Sequence, residues 1–173
     1  MAAGGTAMYL TTSEVCNGIA LICLGGMGCT LALNIWCLFS KSKRLKTLGR
    51  VCIAPAIFNI NEPILFGAPI VMNPVFFLPF ILVPMINATL AWFALDIGLV
   101  ERVVSLTPWT TPGPIGASWA ANWAISPMVL SLLCMCSAAA MYYPFLKAYE
   151  RTLLKQEEQE ESPKTPELAA ATR

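Results

Sequence analysis

The chain is 173 residues long, 57% hydrophobic and only 12% charged, with a formal net charge of +1 and no histidine. A mean hydropathy of +0.65 and about half the charged share of a soluble domain mark an integral membrane protein. The net charge says nothing about nucleic acid, but no basic patch is interleaved with aromatics and no nucleic-acid partner is expected; no basic leader precedes an apolar stretch at Met1, which argues against a cleaved signal peptide.

Charge-free windows run from Val15 to Ser40, from Val51 past Ile81 with Glu62 as the single break, and from Val103 to Phe145. Each exceeds the roughly 20 residues that a spanning helix needs. In chain order, residues 1–18 form an N-terminal extracytoplasmic segment. Ile19 to Ser40 is the first span, and its Gly25, Gly26 and Gly28 permit close approach of another backbone or a ligand. Ser40 to Gly49 follows as a short amphipathic surface turn. Lys41, Lys43, Arg44, Lys46 and Arg50 crowd into it with no acid among them, which places it on the cytoplasmic side, against the anionic leaflet.

Lys147, Arg151 and Lys155 mark a second cytoplasmic flank, so the chain between the two flanks crosses an even number of times. Three apolar blocks lie there, and one is therefore no full crossing. The block with Pro55, Pro63, Pro69 and Gly67 is the candidate, because prolines at that density break the helical ladder. Irregular backbone survives at membrane depth only when buried in protein or lining a wet cavity. Arg50 to Met72 is thus expected as a re-entrant hairpin with its tip near Asn61, Glu62 and Pro63. Asn73 to Val100 then spans outward, kinked by Pro74, Pro79 and Pro84. Glu101 to Ser126 is an external segment too rich in Pro and Gly for a regular helix, and Pro127 to Tyr149 returns. The fold class is an all-α membrane protein of about three transmembrane helices plus the hairpin, its membrane domain covering residues 19–155. Residues 156–173, acidic and broken by proline, are expected as a disordered cytoplasmic tail.

An ionisable group inside a membrane is by default functional or paired. The bland reading of Glu62 is a cap, with Pro63 opening the hairpin's second helix and the carboxylate near its positive end. That explains the position better than the residue type, since Asn, Ser or Asp would cap better. The functional readings are a titrating group of an ion-coupled carrier and an acceptor for the hydroxyls of a polyhydroxylated solute. Asn59, Asn61, Thr107, Thr110 and Thr111 offer neutral donors and acceptors, and Trp109 a flat face for a sugar ring. With no histidine and only Asp96 as a second membrane acid, a proton relay is thin. Trp92, Trp119 and Trp123 suit an interfacial belt, and Asn34 and Asn87 suit helix-to-helix hydrogen bonds. The seven cysteines form no CxxC pair and read as small apolar filler, so no metal or other cofactor is expected. No nucleophile-base pair or phosphate-binding glycine loop points to an independent enzyme.

SKSKRLKTLGR followed by FNINEPILFGAPIVMNPVFFLPFILVP resembles the membrane component enzyme IIC of the phosphoenolpyruvate-dependent sugar phosphotransferase system, in its lactose/cellobiose/chitobiose branch. The resemblance runs from about Ile19 to Glu150. It implies a bacterial inner-membrane permease that binds and carries a β-linked disaccharide inward while a separate, phosphorylated enzyme IIB phosphorylates it. It also implies that Glu62 hydrogen-bonds sugar hydroxyls beside Asn61, that Trp109 contacts the sugar, and that Gly25 and Gly26 approach it through backbone. No phosphoryl-accepting residue is implied in this chain, whose status as an enzyme is left open.

Departures from the family pattern are a length under half that of its members, no family histidine, and Met27 in place of a small residue. SWAANW also stands where a Gly-rich polar stretch is usual. These suggest a C-terminal part whose partner is a missing N-terminal half or a second copy. The alternative is an inactive remnant or a non-transporting membrane protein that only associates with full-length permeases.

Overall fold

A computed structural model describes residues 22–68, 70–101, 103–105 and 107–161. The expected N-terminal segment 1–18 lies outside them, as do residues 162–173 of the expected tail. Six α-helices occur among the described residues, and no strand does: α1 (Thr30–Leu38), α2 (Lys43–Ile57), α3 (Glu62–Gly67), α4 (Pro74–Asp96), α5 (Gly113–Ala120) and α6 (Ile125–Glu161), with a 3-10 turn at Ile70–Met72 between α3 and α4.

The longest helix, α6, is the spine against which α1, α4 and α5 pack, while α2 packs on α1 and α3 on α2. Helices α4 and α6 run antiparallel: Phe76 meets Tyr149 edge to face at 4.9 Å, and further along Asn87 Nδ2 donates to the Cys134 carbonyl at 3.2 Å. Both are long and apolar enough to cross a membrane. Pro79 and Pro84 lie inside α4 and Pro144 inside α6 without ending either helix. Two cores result. One gathers Leu33, Cys37, Leu45, Ile64, Phe76, Val83 and Tyr142. The other, nearer the start of α6, gathers Leu24, Ala91, Leu95, Val103, Ala117 and Leu130.

The expected hairpin is present as a helix, a break and a returning helix, but its first arm begins at Lys43 rather than Arg50. The return is tight: a Cβ added to Gly67 would lie 2.3 Å from Leu48 Cδ1. The first expected span differs more. Its helix α1 is only 9 residues long, because residues 23–29 turn away from helical geometry. Gly25, Gly26 and Gly28 have φ of +81°, +86° and +82°, and Cys29 follows at +57°. The segment 101–126, expected to be irregular, contains α5; Pro114 lies in its first turn, where a missing N–H breaks no hydrogen bond. The acidic run expected to start a tail at Gln156 continues α6 to Glu161.

Candidate functional site

Helix α2 ends in a C-terminal motif written by its own sequence. Asn59 takes the left-handed conformation at φ +61°, which asparagine tolerates better than most residues. Its amide donates to the Ala56 carbonyl at 3.1 Å and that of Ile60 to the Pro55 carbonyl at 3.0 Å, a Schellman pattern that closes the last turn. The chain thereby reverses, and the Asn59 side chain is left free to reach across the fold.

That side chain joins three segments. Its Oδ1 accepts from the Gly25 amide at 2.9 Å. Its Nδ2 donates to the carbonyls of Trp109 at 2.8 Å and Thr111 at 2.9 Å. Asn59 is 4% exposed; its bond to Gly25 is buried and those to Trp109 and Thr111 are partly so. Two residues on, Asn61 Nδ2 donates to the Met27 carbonyl at 2.7 Å. The glycine loop, the hairpin tip and the segment between α4 and α5 therefore meet at one point.

The fit is close enough to dictate a residue type. A Cβ on Gly26 would stand 2.8 Å from the Asn59 carbonyl oxygen and 2.8 Å from Asn61 Cγ, so no side chain is accommodated there. The loop's polar groups are already engaged. The Gly25 amide is held by Asn59 and its carbonyl by Thr30 Oγ1 at 2.6 Å, while the Gly26 amide reaches the Cys23 carbonyl at 3.2 Å and its carbonyl accepts from the Cys29 amide at 3.1 Å. Both glycines are buried.

The sequence-predicted residues Gly25, Gly26, Asn61, Glu62 and Trp109 all lie in or beside this junction. Glu62 is the first residue of α3 and is exposed, and its carboxylate makes no hydrogen bond or ion pair among the described residues. It caps nothing through its side chain, and neither does Asn61, the residue before the helix. Trp109 is 57% exposed, its carbonyl fixed by Asn59 and its ring at the surface. Sequence reasoning placed Asn59 among the polar neighbours without seeing that it is the hub. The signal available was an asparagine two residues past the end of α2, shortly after Pro55.

Asn87 bridges as expected, donating to the carbonyls of Ile22 and Cys134. Asn34 does not: both its polar side-chain atoms are buried with no hydrogen-bond partner among the described residues. Trp119 and Trp123 stack on each other, 6.3 Å apart and 8° from parallel.

A second polar junction closes the other end of the hairpin. Ser40 Oγ and the Lys41 amide both donate to Glu150 Oε1 at 2.5 Å. Lys147 pairs with the other oxygen of Glu150 at 2.7 Å. Seven residues along α6, Glu157 Oε1 accepts from Ser42 Oγ at 2.7 Å and the Arg44 amide at 3.2 Å, and Ser42 itself caps α2.

A family profile described as "Phosphotransferase system, EIIC" matches residues 2–84. The lactose-specific EIICB component of the phosphotransferase system of Streptococcus mutans serotype c is 42% identical over 154 residues, 88% of this chain and 25% of that protein. Its counterpart in Staphylococcus epidermidis is 40% identical over 154 residues, with the same coverage of 88% and 25%. The chain thus spans about a quarter of the length of these curated relatives. The crystal structure of the transporter ChbC, the IIC component from the N,N'-diacetylchitobiose-specific phosphotransferase system, superposes with a TM-score of 0.84 at 39% identity. That match covers 90% of this chain and 36% of the other.

Proposed function

Because the chain belongs to the enzyme IIC family of the phosphotransferase system, in its lactose/cellobiose/chitobiose branch, we propose that it forms the sugar-binding part of a permease for a β-linked disaccharide. The observation that carries this reading is the junction at Asn59. It holds the hairpin tip and the Trp109 segment together by backbone and amide hydrogen bonds, and leaves the Glu62 carboxylate without an internal partner. An unpaired carboxylate is a strong acceptor for sugar hydroxyls, because charge-assisted hydrogen bonds contribute more than neutral ones.

On this reading Glu62 accepts from hydroxyls near the one to be phosphorylated, Asn61 lies beside it, and the Trp109 ring stacks on a sugar face. Gly25 and Gly26 shape the site by close approach, their own amides being engaged within the protein. Phosphoryl transfer falls to a phosphorylated enzyme IIB. The relatives named as EIICB components support such a partner. The positive-inside argument sets the basic start of α2 and the end of α6 in the cytoplasm.

Binding of lactose, cellobiose and chitobiose by calorimetry tests the proposal, on the chain itself and on a fusion that restores the preceding portion of a lactose-specific relative. Glu62→Gln keeps the shape and removes the charge, so it weakens binding by about 2 kcal/mol or more with Tm unchanged. Trp109→Ala costs about 1–3 kcal/mol of binding, Trp109→Phe less, and Trp119→Ala little. Unchanged affinity with a lowered Tm in Glu62→Gln would leave that residue as a favourable charge in the first turn of α3. The absence of histidine favours a second reading, a non-transporting protein that associates with full-length permeases, for which neither form binds sugar.

A further inference from the structure

The glycine loop is closed by sulfur as well as by backbone. Cys23 and Cys29 stand at its two ends, and the positive φ of Gly25, Gly26, Gly28 and Cys29 turns the second back onto the first. The Gly26 amide donates to the Cys23 carbonyl at 3.2 Å and the Cys29 amide to the Gly26 carbonyl at 3.1 Å. This return brings Cys29 Sγ to 3.0 Å from the carbonyl oxygen of Ile22, the residue joined to Cys23. The two cysteine side chains are themselves hydrogen-bond partners. From the side of α4, Asn87 Nδ2 donates to Cys29 Sγ at 3.5 Å and to the same Ile22 carbonyl at 3.3 Å, which fixes the sulfur in place. Cys29 is buried and Cys23 is partly exposed. Apolar filler accounts for Cys37 and Cys52, which lie on helices inside a hydrophobic core. At φ +57° it accounts less well for Cys29, since glycine would adopt that backbone without strain.

We propose that Cys23 and Cys29 are a site of reversible oxidation, a dithiol that a peroxide converts into a disulfide stapling the glycine loop across its ends. Cys23 is the sulfur that the oxidant reaches first, being the more exposed of the two. As a thiolate it attacks one peroxide oxygen, the O–O bond breaks, and a sulfenic acid forms while the leaving hydroxide takes up the thiol proton as water. The Cys29 sulfur then displaces hydroxide from that sulfenic acid, and its own proton leaves in a second water. Two thiols and one hydrogen peroxide thus give one disulfide and two waters. Oxidation removes the Cys29 donor from the Ile22 carbonyl, but Asn87 still donates to it, so no buried acceptor is orphaned. The Gly25 amide that Asn59 Oδ1 accepts lies inside the ring so closed. The staple therefore holds in place the loop that meets the hairpin tip. The competing thiol is Cys134 of α6, buried beyond Asn87, which bonds to its carbonyl.

The test treats the purified full chain in nonionic detergent with hydrogen peroxide, alkylates the remaining thiols, and reads intact mass, peptide linkage and Tm. The mass before alkylation should fall by about 2 Da, the loss of two thiol hydrogens, with Cys23 linked to Cys29 in the digest. Closing the loop restricts the unfolded chain, so Tm should rise by about 3 °C or more. Dithiothreitol should reverse both changes. Cys23→Ser and Cys29→Ser should each abolish the link and the rise in Tm, while Cys136→Ser, which removes an exposed thiol of α6, should abolish neither. Should Cys29→Ser fail to fold, Cys23→Ser at the partly exposed position gives the same reading. A link through Cys134, or oxygen adducts on Cys23 with no link, would overturn the pair. A Cys23–Cys29 link with Tm unchanged would overturn the staple.

Discussion

The two ends of the hairpin are tied by opposite chemistry. At the tip, Asn59 and Asn61 join the glycine loop and the Trp109 segment through neutral amides. At the base, Glu150 and Glu157 join the Ser40–Ser42 turn to α6 through carboxylates. A single amide can accept and donate at once, so Asn59 satisfies one amide and two carbonyls without bringing a charge into the interior. A carboxylate only accepts, and buried without a counter-ion it would be costly. It is tolerated at the base because Lys147, itself 38% exposed, supplies the counter-charge where α6 leaves its apolar stretch. The fold thus uses neutral groups as structural ties around Glu62 and keeps structural charge at the far end.

Replacing the tie at the tip should have the largest effect. Asn59→Leu leaves the buried Gly25 amide and the part-buried Trp109 and Thr111 carbonyls without this partner and puts a branched side chain at φ +61°, an expected loss of about 3 kcal/mol. Thermal unfolding in detergent measures it. A loss no greater than that of an exposed helix position would mean that the three segments are held by packing alone.

Next comes Glu150→Gln, which removes the charge from a side chain that is 4% exposed and bonded to Ser40, Lys41 and Lys147, for an expected loss of about 2 kcal/mol. This change also separates the two junctions by pH. Burial pushes the Glu150 carboxyl up, but the Lys147 ammonium, the Ser40 hydroxyl and the Lys41 amide outweigh it and hold it down to about 2. A folded value below the ordinary 4.5 means that Glu150 contributes its full stabilisation above that pH and loses it as pH falls toward 2. Wild type and Glu150→Gln should therefore converge in Tm on acidification. The offset of Asn59→Leu should stay constant, since amides do not titrate.

The smallest effect is expected from Ser42→Ala. It removes the cap of α2 and one partner of Glu157, costing about 1 kcal/mol. Sugar binding should be unaffected. A loss of binding as large as that of Glu62→Gln would mean that the Glu150 grip on Ser40 and Lys41 does not suffice to hold the level of the tip.

The hairpin was legible in the sequence because prolines and a lone carboxylate are local signals, and crossing parity needs only charges. The glycine loop was harder. Gly25, Gly26 and Gly28 were visible, but a hydropathy window has no access to backbone handedness, and it merged a left-handed loop with a nine-residue helix into one span. Asn59 was seen but not ranked, because its partners stand 34, 50 and 52 residues away and only the fold brings them together. Proline density misled at α5, where Pro114 lies in the opening turn of a helix rather than breaking one. The acidic run after Gln156 gave no sign that Glu157 would be recruited to Ser42 and remain helical.

At 37 residues, α6 is about 55 Å long, against a hydrocarbon thickness of about 30 Å. The surplus acts as a gauge. Glu150 and Glu157 are two turns apart on one face, so they grip the start of α2 at two marks on a rigid scale, and the 15 residues of α2 then measure off about 22 Å to the tip. The level of Glu62 is therefore the difference between two helical lengths, one read upward and one downward. A single residue inserted in α6 after Phe145 would turn both carboxylates about 100° away from the serines. The length of a segment that never touches Glu62 is in this way calibrated against it.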